Sequence, residues 1–513
     1  MGSEGRGITQ HLPDTMPTPG ILPQGWVYTT LGDIGEINPK LLDECLRRDI
    51  DVTFLPMRCL EELTGRLDLS LTRKLSEVKK GYTPFKNGDV LFAKITPCME
   101  NGKVAVVHGL TNGIGFGSTE FHVIRLPESF PREFMFYSLV REELRRDARA
   151  NMTGSAGQLR VSANYLRQMP IALPPLPEQH RIVAKIEELS TRLDAGVHAL
   201  KTIKTQLKRY RQAVLKHAFE GKLTAEWREA HKDELEPASV LLELIKQERR
   251  GTAAGKYREL PPLDTSDLRQ LPEGWVWARV GDVSEAIQYG YTASSTSEPV
   301  GPKILRITDI QDNSVEWEAV PYCRIVAEKK RKYLLQDGDL VFARTGATVG
   351  KSFLIRDSIP EAVFASYLIR IVSSPLINQA FVHSFFQSHD YWVQIHAQKL
   401  GIGQPNVNSR TLSRIRLPLC PTLEQHRIVE EIERRFSVAD HIEKNVDHGL
   451  KQSERLRQSI LKRAFEGRLV PQDPNDEPAE ILLERIKQER AKQLTEKRVT
   501  VSRVKRKRST EGK

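Results

Sequence analysis

EQHRIVAKIEELSTRLDAGVHALKTIKTQLKRYRQAVLKHAFEGKL occupies residues 178–223, and EQHRIVEEIERRFSVADHIEKNVDHGLKQSERLRQSILKRAFEGRL occupies residues 424–469. The two align without a gap at an offset of 246, and 20 of 46 positions are identical. The identities gather at the ends, in EQHRIV and LK-x-AFEG-x-L. The chain therefore carries an internal duplication, and self-similarity of this kind has to be recognised before any fold is assigned.

Each copy reads as one long helix. Ile182, Ile186, Leu189, Leu193, Val197, Leu200, Ile203, Leu207, Tyr210 and Val214 recur at steps of three or four. Ile428, Ile432, Phe436, Ala439, Ile442, Val446, Leu450, Leu456 and Ile460 do nearly the same in the second copy. That is an apolar stripe on a charged helix. Pro174, Pro175 and Pro177 precede or open the first copy, and Pro418 and Pro421 precede the second, where proline is tolerated. Gly221 and Gly467 follow the last periodic residues as stops. A 46-residue helix measures roughly 70 Å. A stripe that narrow and long calls for a second helix, and the copy is the obvious partner.

The duplication extends outward in the same order through both halves. LPQGW at 22–26 returns as LPEGW at 271–275, and FKNGDVLFAKI at 85–95 as LQDGDLVFART at 335–345. TGSAGQLRVSANYL at 153–166 returns as KLGIGQPNVNSRTL at 399–412, and EPASVLLELIKQERR at 236–250 as EPAEILLERIKQERA at 477–491. Between these islands, residues 38–84 and 287–334 share almost nothing. Matched framework with unmatched intervening surface fits two related readers of different targets, and equally the plain drift of tolerant loops. The turn-then-strand signals NGDVLFAKI and DGDLVFART, with helical patterns at 132–150 and 376–398, make each module mixed α/β.

Composition narrows the function. The 513 residues exceed one core, and roughly three or four domains are expected. No apolar run approaches the roughly 18 residues of a membrane span, and the N-terminal MGSEGRGITQHLPDTMPTPG lacks the apolar centre of a secretory leader. Five cysteines, Cys45, Cys59, Cys98, Cys323 and Cys420, form no C-x-x-C pair and predict a reduced cytoplasmic protein. The net charge of +11 favours a polyanionic partner, nucleic acid most simply. The tail KRVTVSRVKRKR at 497–508 adds to it.

A search for chemistry is negative. TGATVGKS at 345–352 places three residues between its glycines where a phosphate loop needs four. No dinucleotide fingerprint, no methyltransferase Asn/Asp-Pro-Pro-aromatic motif and no paired metal-ligand spacing is present. Glu178, His180, Glu424 and His426 open helices, where acidic residues suit the helix dipole, and no general acid–base role is assigned to them.

With these residues assembled, the chain resembles the specificity (S) subunit of a type I restriction–modification system. The resemblance rests on LP-x-GW, the GD-x-(L/V)-x-A-(K/R) strand, STEFHVIRL at 118–126, LPPLPEQHRIV and LK-x-AFEG-x-L, and it covers about residues 21–495. It implies an α+β fold with two mixed α/β target recognition domains in pseudo-two-fold arrangement, joined and spaced by two long antiparallel coiled-coil helices. The expected blocks are a disordered 1–20, recognition domain 21–175, long helix 176–225, short helix and linker 226–268, recognition domain 269–420, long helix 421–470, and short helix with basic tail 471–513. It further implies a non-catalytic chain that binds double-stranded DNA with a bipartite target, docks two methyltransferase (M) subunits and is joined by restriction/translocase (R) subunits. No cofactor is expected in this chain; S-adenosylmethionine, ATP and Mg2+ belong to the partner subunits. The rival readings are a single-chain nuclease or methyltransferase and a protein-only coiled-coil adaptor.

Base reading requires donors and acceptors on exposed tips. The candidates are Lys94, Thr96, Asn101, Lys103, Ser155, Gln158 and Arg160 in the first module. In the second they are Tyr289, Tyr291, Arg344, Thr345, Lys351, Gln404, Asn406 and Asn408. For partner docking, the outward helix faces offer Arg181, Lys208, Arg209, Arg211, Arg427, Arg455 and Arg457.

Overall fold

The computed structural model describes residues 22–40, 49–155, 157–252, 260–311, 313–346, 349–357, 359–398 and 407–492. The basic tail at 497–508 and the candidates Gln404 and Asn406 lie outside the described residues. The chain forms two compact units that are not its linear halves. Unit 1 joins residues 1–199 to 449–513, and unit 2 spans 200–448. The two long helices, Leu176–Phe219 and Thr422–Phe465, each begin in one unit and end in the other.

Within unit 1 the inner sheet runs in the order Glu36–Ile37, Phe121–Arg125, Val90–Ala93, Val104–Val106. Val90 and Phe92 pack against the helices, beside Ile182, Ile186, Leu461 and Phe465. Leu91 and Ala93 point the other way, onto Leu55, Phe85 and Phe121 of a second layer. The two-residue period of a strand assigns these faces, and burial on both sides explains why VLFA is wholly apolar. In unit 2 the inner sheet repeats the order as Ser284–Tyr289, Leu368–Ser373, Leu340–Ala343, Ser352–Leu354. Phe342 faces Phe219, Ile428 and Ile432, while Val341 faces Leu305, Phe364 and Leu368.

The outer sheets diverge. Both keep a parallel pair, Asp51–Leu55 with Ile114–Gly117 in unit 1 and Lys303–Leu305 with Ala362–Phe364 in unit 2. In unit 1 this pair is flanked on both sides, by Thr72–Lys74 and Thr83–Lys86. In unit 2 both added strands, Tyr322–Cys323 and Ser295–Thr296, lie on one side. These strands come largely from residues 38–84 and 287–334, the segments that share no sequence.

The repeated motifs converge on one junction in each unit. In unit 1, Trp26 Nε1 of LPQGW donates to buried Glu178 at 2.9 Å, and Gln179 Nε2 donates to Pro174 O at 2.8 Å. Gly467, at φ 68°, sits against Pro23, and Phe465 packs on Phe134 with centroids 5.0 Å apart. The helix at 479–492 is tied in by Ala479 N donating to Gly25 O at 2.9 Å. Unit 2 repeats this with Trp275 Nε1 to Glu424 at 2.8 Å, Gln425 Nε2 to Cys420 O at 2.9 Å, Gly221 against Pro272, and Ala238 N to Gly274 O at 2.8 Å. Glu178 and Glu424 therefore do more than face a helix dipole: they are buried acceptors that fix an α/β module to its helix.

The GD motif has a similar explanation. Asp89 Oδ2 accepts from Lys86 N at 2.8 Å, closing the turn, while Arg125 grips the same carboxylate from Nε at 2.8 Å and Nη2 at 2.7 Å. Asp339 accepts from Gln336 N at 2.9 Å and Arg370 Nη1 at 3.0 Å. Gly88 and Gly338 occupy the left-handed region at φ 83° and 84°, which the turn requires.

The long helices run antiparallel within the units. In unit 2, Lys204 pairs with Asp447 at 2.7 Å, and Arg211 with Asp440 at 2.6 Å and Glu443 at 2.8 Å. In unit 1, Arg457 pairs with Asp194. Partner numbers fall along one helix as they rise along the other, which only an antiparallel pair produces. Among the described residues no helix is long and apolar enough to cross a membrane.

Candidate nucleic-acid interface

The inner sheet delivers one basic residue to the same place in each unit. Register pairs Ala93 with Phe121 and Ala343 with Leu368, so Lys94 and Arg344 leave equivalent strand ends. Lys94 N donates to Glu120 O at 2.9 Å, and its carbonyl accepts from Val161 N at 2.9 Å. Arg344 N donates to Tyr367 O at 3.1 Å, and its carbonyl accepts from Val407 N at 3.0 Å. Backbone geometry is thus duplicated, but the neighbouring side chain is Glu120 in one unit and Tyr367 in the other.

In unit 1 the strand end and the loop at 153–161 are stitched together. Thr96 N donates to Leu159 O at 3.0 Å, and bridges join Arg160 to Ile95 and Thr153. Lys94, Thr96, Ser155, Gln158 and Arg160 gather here, Ser155 and Gln158 exposed. Arg160 is already engaged: Nε reaches Glu120 Oε2 at 3.0 Å and Nη2 reaches Oε1 at 2.8 Å. That pairing first, then the nearby charges, holds Glu120 below the ordinary carboxylate range. Behind them His122 Nε2 donates to Val161 O at 2.9 Å, and Nδ1 lies 2.9 Å from Asn38 Nδ2. Burial holds this imidazole below its ordinary pKa. A cavity of about 250 Å3, lined by Asn38, Tyr82, Thr83, Lys94 and Thr119 among others, opens beside the cluster.

Asn101 and Lys103 do not join this group. Asn101 Nδ2 donates to Glu62 at 2.8 Å, and Lys103 Nζ donates to Met57 O at 3.2 Å, so both serve the outer layer.

In unit 2 Arg344 lies over the ring of Tyr289, its Cζ 4.7 Å from the centroid. The Tyr289 hydroxyl accepts from Ser409 N at 3.1 Å. Burial raises the pKa of that hydroxyl, but the Ser409 hydrogen bonds and the Arg344 charge outweigh it and leave it lowered. Tyr291 belongs to a different contact, with Tyr333 at 5.3 Å between centroids. Asn408 is a helix cap, its Oδ1 accepting from Thr411 N at 2.8 Å. Thr345 is half-buried and Lys351 exposed. Glu120, His122, Tyr367 and Ser409 escaped the sequence reading. Glu120 and Tyr367 become relevant only through strand register, and His122 and Ser409 through hydrogen bonds to residues distant in the chain, which no local pattern states.

The candidates for partner docking divide. Lys208, Arg209 and Arg455 are exposed. Arg211 and Arg457, expected on outward faces, form interhelical ion pairs instead. Arg181 clamps Asp476 at 2.6 Å, whereas its repeat partner Arg427 pairs along its own helix with Glu430 and Glu431. The packing of the two long helices draws Arg211 and Arg457 inward to opposite charges.

No group of three or more His, Cys, Asp or Glu side chains suited to a metal exists among the described residues. Comparison with known proteins agrees with the duplicated geometry. Residues 23–209 and 272–452 each match the type I restriction modification DNA specificity domain. The specificity subunit of the type I restriction enzyme EcoAI from Escherichia coli is 28% identical over 477 residues, covering 82% of this chain and 79% of that protein. The EcoKI specificity subunit from Escherichia coli strain K12 is 26% identical, covering 92% and 97%. Among solved structures, a chain from work on complex assembly and conformational transition of the type I R-M system superposes with a TM-score of 0.61 at 21% identity, covering 88% of this chain and all of that one.

Proposed function

The chain belongs to the type I restriction modification DNA specificity family, and from that membership we propose that it directs a restriction–modification complex to a two-part DNA target. It is a specificity subunit and not the catalytic component. One observation carries the two-target reading. The units repeat each other down to the Trp26–Glu178 and Trp275–Glu424 hydrogen bonds, yet build different outer sheets from unrelated segments. A repeated mounting with different faces suits two readers of two different half-sites.

In this reading Lys94 with Ser155 and Gln158, and Arg344 with Tyr289, meet DNA at the equivalent strand ends. The antiparallel helices hold the gap between half-sites, and exposed Lys208, Arg209 and Arg455 contribute to docking two methyltransferase subunits. Restriction subunits join the complex; S-adenosylmethionine, ATP and Mg2+ are bound by partners, in the cytoplasm. Base-edge contacts set sequence and phosphate contacts set affinity. A matched seven-residue insertion in both helices, after residues 199 and 448, tests the assignment in the full complex. Methylation mapping is expected to return the same two half-sites with a longer gap. An unchanged gap removes the spacing role, and loss of two-part motifs in the unaltered complex removes the function itself.

A further inference from the structure

The equivalent strand ends differ in what they offer a base. Lys94 ends in a point charge, whereas Arg344 ends in a planar guanidinium with donors fixed in one plane. In unit 2 that plane is held. Tyr289 supports it from one side at 4.7 Å, and Tyr289 is itself pinned by Ser409 N. Arg344 Nη1 reaches Ser366 O only at 3.4 Å, and Nε is buried with no hydrogen-bond partner among the described residues. Tyr289 lies on one side of the guanidinium, and the long contact to Ser366 O is the hydrogen bond found at its Nη1–Nη2 edge among the described residues. Tyr367, 64% exposed, follows directly on Ser366.

We infer that Arg344 reads a guanine in the half-site bound by unit 2, donating in parallel to O6 and N7, with Tyr289 as its positioning residue. Guanine presents two adjacent acceptors in the major groove, whereas adenine sets a donor beside its N7, so a two-donor edge selects guanine. A phosphate contact needs charge but no fixed plane, and the supporting ring and its anchored hydroxyl are what a planar readout requires. In unit 1 no ring is found against the Lys94 ammonium among the described residues, and the neighbouring position holds Glu120 paired to Arg160. The two halves therefore read by different chemistry at one structural position. This assignment rests on the DNA-specificity reading above.

The test uses the full chain in complex with its methyltransferase partner. The methylated motif is mapped first, and duplexes with 7-deazaguanine at each guanine are then compared for binding. One guanine in one half-site is expected to lose roughly 5- to 100-fold in affinity when N7 is removed. Arg344→Ala is expected to abolish that sensitivity. Arg344→Lys and Tyr289→Leu relax the same position in the methylation map, and Tyr289→Phe, which keeps the ring but loses the hydroxyl held by Ser409 N, relaxes it to a smaller extent. The other half-site stays intact in every variant, which reports a folded complex. The inference is overturned if the affected half-site contains no guanine. It is equally overturned if Arg344→Ala weakens all duplexes alike with a shallower salt dependence, the mark of a phosphate contact that leaves the specificity function standing. An unaltered complex that methylates without any two-part motif overturns the parent reading as well.

Discussion

Arg228 Nη1 lies 2.6 Å from Oε1 of Glu424, a carboxylate with no exposed surface. Thr224 Oγ1 donates to the same oxygen at 2.7 Å, and Trp275 Nε1 takes the other. The repeat copy Glu178 has only Trp26; its Oε1 is buried without a partner among the described residues. The difference traces to sequence. The helix Ala225–Ala230, which carries Arg228, comes from AEWREA, and the second copy lacks that segment after LV at 469–470.

Matched substitutions are expected to diverge. Glu424→Gln strands Arg228 beside a neutral group and costs about 3 kcal/mol, since removing one partner of a buried pair leaves an uncompensated charge. Glu178→Gln keeps an acceptor for Trp26 and removes a poorly compensated buried charge, so it is neutral or stabilising. Hydrogen exchange resolved to each unit measures both. Equal losses in the two units would contradict this account.

The same asymmetry sets a pH dependence. Burial raises the Glu178 carboxyl above its ordinary value of 4.5, with the Trp26 hydrogen bond opposing. The folded state then holds this proton more tightly than the unfolded chain. Glu178 therefore favours folding below the ordinary carboxyl pKa, and that contribution is lost as pH rises through its folded value. Unit 1 protection is expected to fall across that window in the native chain. In Glu178→Gln this part of the dependence disappears.

Glycine substitutions separate the junction from the helix body. Gly221 and Gly467 hold φ of 71° and 68°, and a Cβ at either would collide with Pro272 or Pro23. Alanine at each is expected to cost more than about 1–2 kcal/mol, the left-handed penalty alone being of that size. Gly196, exposed within the first long helix, has nothing within 4 Å of a Cβ position. Gly196→Ala is expected to stabilise by roughly 0.5–1 kcal/mol. Thermal denaturation of the three variants ranks them.

Legibility follows the range of each interaction. The long helices were readable because a 3.6-residue stripe, prolines before and glycines after are all local; they run Leu176–Phe219 and Thr422–Phe465 against copies expected at 178–223 and 424–469. The GD turn was readable as a turn, but its buried ion pairs to Arg125 and Arg370 were not, because those arginines lie on strands far along the chain. Among site candidates, Lys94 and Arg344 came together with their loops, while Asn101 and Lys103 went to the outer layer. A polar residue near a glycine reads the same in either setting, and only the register of Ala93 against Phe121 separates them. That register also exposes Tyr367 at the place of Glu120, a substitution that no alignment of the dissimilar flanks displays.

The Arg160–Glu120 pair gives a final expectation for DNA. Arg160 was a candidate base reader, yet its guanidinium is spent on Glu120, 2.8 Å away and adjacent to Lys94. Arg160→Ala leaves a carboxylate without its countercharge at the strand end proposed to meet DNA. Its effect on binding is then repulsion between Glu120 and phosphate, largest at low salt and shrinking as salt screens it. A lost base contact behaves differently: it costs affinity for the cognate half-site alone and persists at high salt. Adding Glu120→Gln to Arg160→Ala separates the two. If Arg160 acts by neutralising Glu120, the double variant recovers most of the lost affinity in a titration of the complex against its target. If Arg160 itself reads a base, the double variant stays as weak as Arg160→Ala, and the half-site assigned to unit 1 remains relaxed in the methylation map.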